Sequence, residues 1–190
     1  MRKIIYSMLM SLDGFIARPN GELDWALVDE ELHTFFNERE RDVDTHLYGR
    51  RMYEIMVDFW PTADDDPAAP AFVADYARIW KDMPKVVFST SLEHVAWNSR
   101  LVRGDISGEV ATLKAQPGKD LGLGGANLAE TFMRLGLIDA FHVYLNPVVL
   151  GRGTPMFPIS DDTVRLRLVE TRTFSSGVVY LHYHREGPAR

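Results

Sequence analysis

Three short stretches carry residue types that bind anions. Gly49-Arg50-Arg51, Ser89-Thr90-Ser91 and Gly124-Gly125-Ala126-Asn127 each follow an apolar run, and the first and third open a helical pattern. Backbone N–H groups at a helix start are unsatisfied and lie at the positive end of the helix dipole, so they suit a phosphate. Arginine adds a permanent charge and a bidentate fork. Cations in a first helical turn are mildly unfavourable on their own, which favours an anionic ligand for Arg50 and Arg51 over two solvated side chains. Together the amides, hydroxyls and two guanidinium groups suit a dinucleotide with one extra phosphate. A glycine pair also makes a plain strand-to-helix turn, and the motif alone does not separate the two readings.

These stretches need a scaffold that brings them to one edge. Lys3 to Met10 is nearly continuous apolar sequence, which predicts a strand buried on both faces. Ser11-Leu12-Asp13-Gly14 turns the chain, Phe15-Ile16-Ala17 is a brief extended piece, and Arg18-Pro19-Asn20-Gly21 is a strong turn signal. Asp29 caps a helix with Leu32, Phe35 and Phe36 on its apolar face. Val43 to Tyr48 is a strand, Phe72, Tyr76, Ile79 and Trp80 mark a helix, and Pro84 to Phe88 is a strand. Val95 to Val102 reads as a short extended piece, and Ile106 to Ala115 as a helix. Leu121 and Leu123 lie in a short strand. Ala126, Leu128, Ala129, Phe132, Met133 and Leu135 recur at helical spacing, and Gly136 closes that helix. Phe141 to Val149 is a strand; Val164 to Phe174 and Val178 to His184 form an antiparallel hairpin through Ser175-Ser176-Gly177. Phe59 to Pro70 is expected to be a mobile surface loop with Asp64, Asp65 and Asp66 solvated, and Glu186 to Arg190 a frayed tail. Strands alternate with helices until the final hairpin. The reading is a single α/β domain over 1–185, with a mainly parallel sheet and an antiparallel edge. In a parallel sheet the three anion-binding stretches share the edge where α/β folds take ligands.

Composition narrows the function. A net charge of −6 argues against a nucleic-acid binder, which would show a basic face. There is no cysteine, so disulfides, thiolate metal sites and cysteine nucleophiles are excluded. The six histidines include no i, i+4 pair on a helix, and no metal site is predicted. No Gly-x-Ser-x-Gly elbow is present, which removes the α/β-hydrolase reading. The apolar start is broken by Ser7 and Ser11 and ends in Asp13-Gly14, so it reads as a strand and not a signal peptide. No stretch approaches the roughly 20 apolar residues that cross a bilayer. The expectation is a cytoplasmic protein that binds neither membrane nor nucleic acid.

The ordered set of pieces resembles the dihydrofolate reductase-like superfamily, and within it the branch of the C-terminal reductase domain of the bifunctional riboflavin-biosynthesis protein. The pieces are Ser11 to Ala17, Gly49 to Glu54, Val86 to Ser91, Leu123 to Phe132, and Asn146-Pro147 with Leu150-Gly151-Arg152-Gly153. The resemblance implies a three-layer fold with helices on both faces of the sheet, and an NADPH-dependent reductase of a small heterocyclic or sugar-like substrate. It implies that Ile16 and Ala17 lie along the nicotinamide and that Gly49, Arg50 and Arg51 hold phosphates. Ser89 and Thr90 would sit near the adenosine 2′-phosphate with Arg50. Gly124, Gly125, Ala126, Asn127 and Leu128 would cradle the pyrophosphate. Met52 stands where the family usually has threonine, so one phosphate-directed hydroxyl is missing. Glu31, or its neighbour Glu30, matches the helix acid that orients the pteridine in dihydrofolate reductases. Both also suit a first helical turn on dipole grounds alone. Asp13 either orients substrate or makes the Asp-Gly turn. Trp25 walls the pocket or packs in the core. True dihydrofolate reductase activity fits less well, because the loop ahead of Glu31 differs and Gly151-Arg152-Gly153 suits the riboflavin branch. A nucleotide-binding protein without turnover is one alternative, and a pocket of the same fold for another cofactor such as a flavin is a third. Related domains pair, so a homodimer is expected, with the Val178 to His184 strand at a sheet edge.

Overall fold

The computed structural model describes residues 1–160 and 163–187. In chain order the elements are β1 (Ile4–Ser11), β2 (Phe15–Ala17), α1 (Glu30–Glu40), β3 (Val43–Gly49), α2 (Arg50–Phe59), α3 (Ala71–Asp82), β4 (Lys85–Phe88) and β5 (Ser99–Val102). They continue with α4 (Ile106–Ala115), β6 (Asp120–Gly124), α5 (Ala126–Arg134), β7 (Ala140–Asn146), β8 (Thr154–Pro155), β9 (Leu166–Thr173) and β10 (Val179–Arg185). The chain forms two compact units, one of Met1–Lys3 with Glu30–Gly125, the other of Ile4–Asp29 with Ala126 onward.

The first unit holds strands in the order β5-β4-β3-β6, all parallel. Each parallel step needs a crossover, and the intervening helices and loops supply it. β4 reads Lys-Val-Val-Phe and is buried throughout, as a central parallel strand should be. Tyr48, Tyr53, Met56, Tyr76, Trp80 and Val87 form the core around it. The predicted extended piece at 95–102 narrows to β5, because Trp97 and Asn98 turn the chain with φ of 58° and 53° just before it. α4 starts at Asp105, whose side chain accepts the Gly108 N–H at 3.0 Å.

The second unit runs β1-β7-β10-β9. β1 and β7 are parallel, and β10 is antiparallel to both β7 and β9. β2 and β8 make a small antiparallel sheet of their own. α5 ends as its sequence predicts: Gly136 takes φ of 66°, and the Leu137 N–H reaches back to the Phe132 carbonyl at 2.9 Å. The α/β class, the mostly parallel strands and the antiparallel closing hairpin are as expected.

Three local expectations need correction. Asp64 is not free in solvent like the exposed Asp65 and Asp66: Lys81 Nζ donates to both its carboxylate oxygens at 2.7 and 2.8 Å, and Pro61 is buried, so the 59–70 loop is tied to α3. β10 is not at an edge, since β9 covers its outer side. Glu186 is not frayed, because its N–H donates to the Arg165 carbonyl at 2.9 Å. The rest of the predicted tail, 188–190, lies outside the described residues.

Candidate functional site

In the first unit the parallel register sets the strand ends level. Gly49 is paired with Phe88, Phe88 with Val102, and Tyr48 with Gly124. The residues that follow β3, β4, β5 and β6 therefore emerge along one edge. They are Arg50, Ser89, Arg103 and Gly125. Arg50 is exposed and held from two sides: its Nε donates to Glu54 Oε1 at 2.7 Å and its Nη1 to Ser91 Oγ at 3.1 Å. The Ser89 hydroxyl accepts the Ser91 and Leu92 N–H groups at 3.2 and 3.1 Å, which folds the turn back on itself. Thr90 is exposed on that turn. α2 begins at Gly49 in extended conformation with no side-chain cap and no acid in its first turn. Its first turn instead carries Arg50 and Arg51, both exposed.

The glycine pair has a packing reason as well as a conformational one. A Cβ on Gly124 would come within 3.3 Å of Met52 Cε and Tyr48 Cε1. One on Gly125 would come within 3.0 Å of Met52 Cβ, and Gly125 takes φ of 92°. Met52 thus braces the turn that leads into Ala126, the first residue of α5. Tyr48 is fixed in turn by a buried polar chain. Its hydroxyl lies 2.6 Å from His46 Nδ1, and His46 Nε2 lies 2.5 Å from Glu40 Oε2. Burial first, then the Glu40 charge, raise the Tyr48 phenol well above its ordinary pKa, so Tyr48 is the donor to His46. Beyond the turn, Asn127 is exposed and Leu128 is buried.

In the second unit the Ser11–Ala17 and Pro147–Gly153 segments are bound together. The Asp13 carboxylate accepts the Ser11 hydroxyl at 2.7 Å, the Leu150 N–H at 3.1 Å and the Gly151 N–H at 2.7 Å. The Ser11 hydroxyl bond, then those amides, lower its pKa to about 2. Asp13 is therefore a fastener between two loops. Gly153 has no room for a side chain, since its Cβ would lie 2.1 Å from the Ala17 carbonyl oxygen. Ile16 is buried on β2 and Ala17 is half-buried beside it. Asn146 is fully buried, and its Oδ1 accepts the Leu27 N–H at 2.8 Å while Nδ2 donates to Tyr144 O at 3.0 Å. Trp25 is buried, so it packs in the core.

Glu30 and Glu31 are the first two residues of α1, both exposed, where their charge favours the helix dipole. The structure thus brings Gly49, Arg50, Arg51, Ser89, Thr90, Gly124 and Gly125 to one strand edge, and places Asp13, Ile16 and Ala17 together in the other unit. Three participants went unread in the sequence. Ser91 belongs to an expected anion-binding stretch, but its role of holding Arg50 has no mark in the sequence. Glu54 sits one helical turn after Arg50, a spacing that signals an ion pair. Arg103 donates to the Thr90 and Glu93 carbonyls, each at 3.3 Å. Reading 99–102 as a full parallel strand would have placed it at the edge.

A family model described as the RibD C-terminal domain matches residues 2–180. An uncharacterized protein of Bacillus subtilis (strain 168), YyaP, is 38% identical over 187 residues, 98% of this chain and 96% of that one. Among solved structures, a Shewanella sp. PV-4 protein provisionally named for riboflavin biosynthesis aligns with a TM-score of 0.78 at 23% identity, over 97% of this chain and 99% of that one. Dihydrofolate reductase from Enterococcus faecalis, solved with NADP(H) and RAB-propyl, aligns with a TM-score of 0.65 at 16% identity, over 97% of each chain. At these identities the two structures show a shared fold. Among the described residues no helix is long and apolar enough to cross a membrane.

Proposed function

The chain belongs to the RibD C-terminal domain family, and on that premise we propose that it is an NADPH-dependent reductase acting on a C=N or C=O carbon of a small heterocyclic or sugar-like substrate. The observation that carries this reading is the level edge of the first unit, where a doubly anchored Arg50 stands beside the Ser89–Ser91 turn and an uncapped helix start. That donor set is cationic, exposed and rich in N–H groups, which fits a phosphorylated dinucleotide. Arg50, Ser89 and Thr90 would take the 2′-phosphate, and Gly49 with Arg51 the adjoining phosphates. Gly124 to Leu128 would take the pyrophosphate through backbone amides, and Ile16 and Ala17 would lie along the nicotinamide. When bound, NADPH supplies the hydride. The chain's own residues hold and orient the two reactants and exclude water. Asp13 acts on the substrate side by fixing the Leu150–Gly151 backbone. Glu31 is proposed to orient the substrate or supply a proton.

A second reading, nucleotide binding without turnover, draws on Met52, a thioether braced against both glycines where the family usually presents a hydroxyl. Fluorescence titration with NADPH and NADH tests the binding claim common to both. NADPH-selective binding is the expected result; binding of neither would end the reductase proposal. Oxidation of bound NADPH over a panel of pyrimidine and pteridine substrates separates the two readings. A homodimer is also proposed, on the exposed Leu168 and Val169 of the outermost strand β9.

A further inference from the structure

The first unit has a concave feature at the opposite ends of the strands that form the Arg50 edge. A cavity of about 860 Å³ is bounded by the N-terminal ends of β4 and β5, the loop before β5, and the last turns of α4. That volume is ordinary for a small-molecule site. Lys85, the first residue of β4, forms part of its wall and is 1% exposed. Its ammonium donates to the Met83 carbonyl at 2.7 Å and the Trp97 carbonyl at 2.9 Å, and lies 4.1 Å from the Trp80 ring centroid. No carboxylate pairs with it among the described residues; Asp82 acts on it only at longer range. A buried cation held by neutral acceptors alone is short of counter-charge. The other cation of the wall, Arg100, is already paired with Glu109.

The loop over this cavity is strained. Trp97 and Asn98 both take positive φ, 58° and 53°, the only non-glycine residues to do so among the described residues. L-residues rarely adopt such conformations, Trp less readily than Asn, and they persist where the surroundings over-determine them, often at ligand clamps. Here four bonds hold the pair. The Trp97 carbonyl accepts from Lys85 Nζ and from Ser99 Oγ at 3.2 Å, the Asn98 carbonyl accepts the Lys85 N–H at 2.9 Å, and Asn98 Nδ2 donates to Asp82 O at 2.7 Å. Trp97, held this way, lines the cavity and is 46% exposed.

We propose that this cavity is a second binding site, for a small planar aromatic carboxylate whose ring lies against Trp97 and whose negative charge compensates Lys85. A single uncompensated ammonium matches a monoanion. The lining also includes Glu109 and the C-terminal turn of α4, whose negative charge and dipole end disfavour a phosphate dianion. The site is independent of the reductase proposal, since none of its residues belongs to the Arg50 edge.

The test is titration of the 15N-labelled full chain with 1-naphthoate and, separately, with neutral 1-naphthamide. The expected result is saturable shifts of the Trp97, Asn98, Ser99 and Thr112 amides by 1-naphthoate, with a Kd below about 1 mM, and at least ten-fold weaker binding of the amide. Lys85→Met should abolish that ten-fold preference. Should that variant fail to fold, Trp97→Ala, which changes an exposed ring, should weaken 1-naphthoate at least ten-fold with the thermal midpoint unchanged. Absence of saturable shifts at those amides, equal binding of the acid and the amide, or undiminished binding by Trp97→Ala would overturn the proposal.

Discussion

At the scale of single residues, Arg50 and Asp13 show how partners decide whether a charged side chain stays available or is used up in the fold. Arg50 spends two of its donors on Glu54 and Ser91 and stays exposed, so it is oriented but available. Charge-assisted hydrogen bonds are worth about 1.5–3 kcal/mol. Arg50→Ala is therefore expected to weaken NADPH about 10- to 100-fold while NADH binding changes little; equal losses for both cofactors would remove the 2′-phosphate role. Asp13 has its oxygens occupied by one hydroxyl and two amides. Its folded pKa of about 2 lies below the ordinary 3.8. The bonding it provides is thus complete above pH 3.8 and lost as pH falls through about 2. The Leu150 and Gly151 amide protons should titrate with a midpoint near 2, and Asp13→Asn should abolish that titration. A midpoint near 3.8 would show that the fastener is not formed in solution.

At the scale of elements, the arrangement depends on strand ends meeting in register and on loops that must approach closely. The parallel pairing of β3 with β4, β4 with β5, and β3 with β6 aligns four chain exits. That alignment turns a serine turn, a glycine turn and two arginines into one edge. The small β2–β8 sheet has a different dependence. It exists because Gly153 leaves room for the Ala17 carbonyl. A methyl group there meets backbone, which cannot rotate away, and overpacking of this kind costs about 1–3 kcal/mol. Gly153→Ala is expected to lower stability by that amount in urea unfolding and to broaden the Phe15 to Ala17 resonances. An unchanged midpoint would mean the two loops shift freely. Much of this level was legible beforehand. Helices and strands followed from apolar period, and Gly136 from its place after the last periodic residue. β8 was not legible, because two residues are too few to carry a period. Neither was the true extent of β5, whose entrance is a left-handed Trp-Asn turn that Asn98 alone hints at and Trp97 does not.

At the scale of the whole molecule, association is the property still to be measured. β9 is the outermost strand of its unit and exposes Leu168 and Val169, the second of them the extra, unpaired residue of the bulge opposite His182 and Tyr183. Exposed apolar strands at an edge invite pairing with another copy. Sedimentation equilibrium should return twice the 21.6 kDa chain mass, and Leu168→Lys should shift it toward the single-chain value. A single-chain mass for the parent protein would end the homodimer proposal. The expectation rested at first on β10 as the edge strand; the structure moves the exposed edge to β9, because the bulge after His182 still leaves β10 fully paired on both sides.

Sequence alone determined the α/β class, the order of the longer elements, the family and the set of residue types suited to anions, because these are written in local period and in ordered short motifs. It also excluded thiol chemistry outright. Tertiary structure decided which of those residues keep free donors and which are used up in the fold. Asp13 and Asp64 read as loop acids, yet one binds two loops and the other is held by a lysine seventeen residues away. Gly124 and Gly125 read as a phosphate turn, yet Met52 supplies a packing reason for both. Lys85 read as an unremarked strand residue, yet it is a buried cation beneath a strained tryptophan turn. In each case the deciding partner is distant in sequence, and a contact of that kind leaves no mark in local pattern.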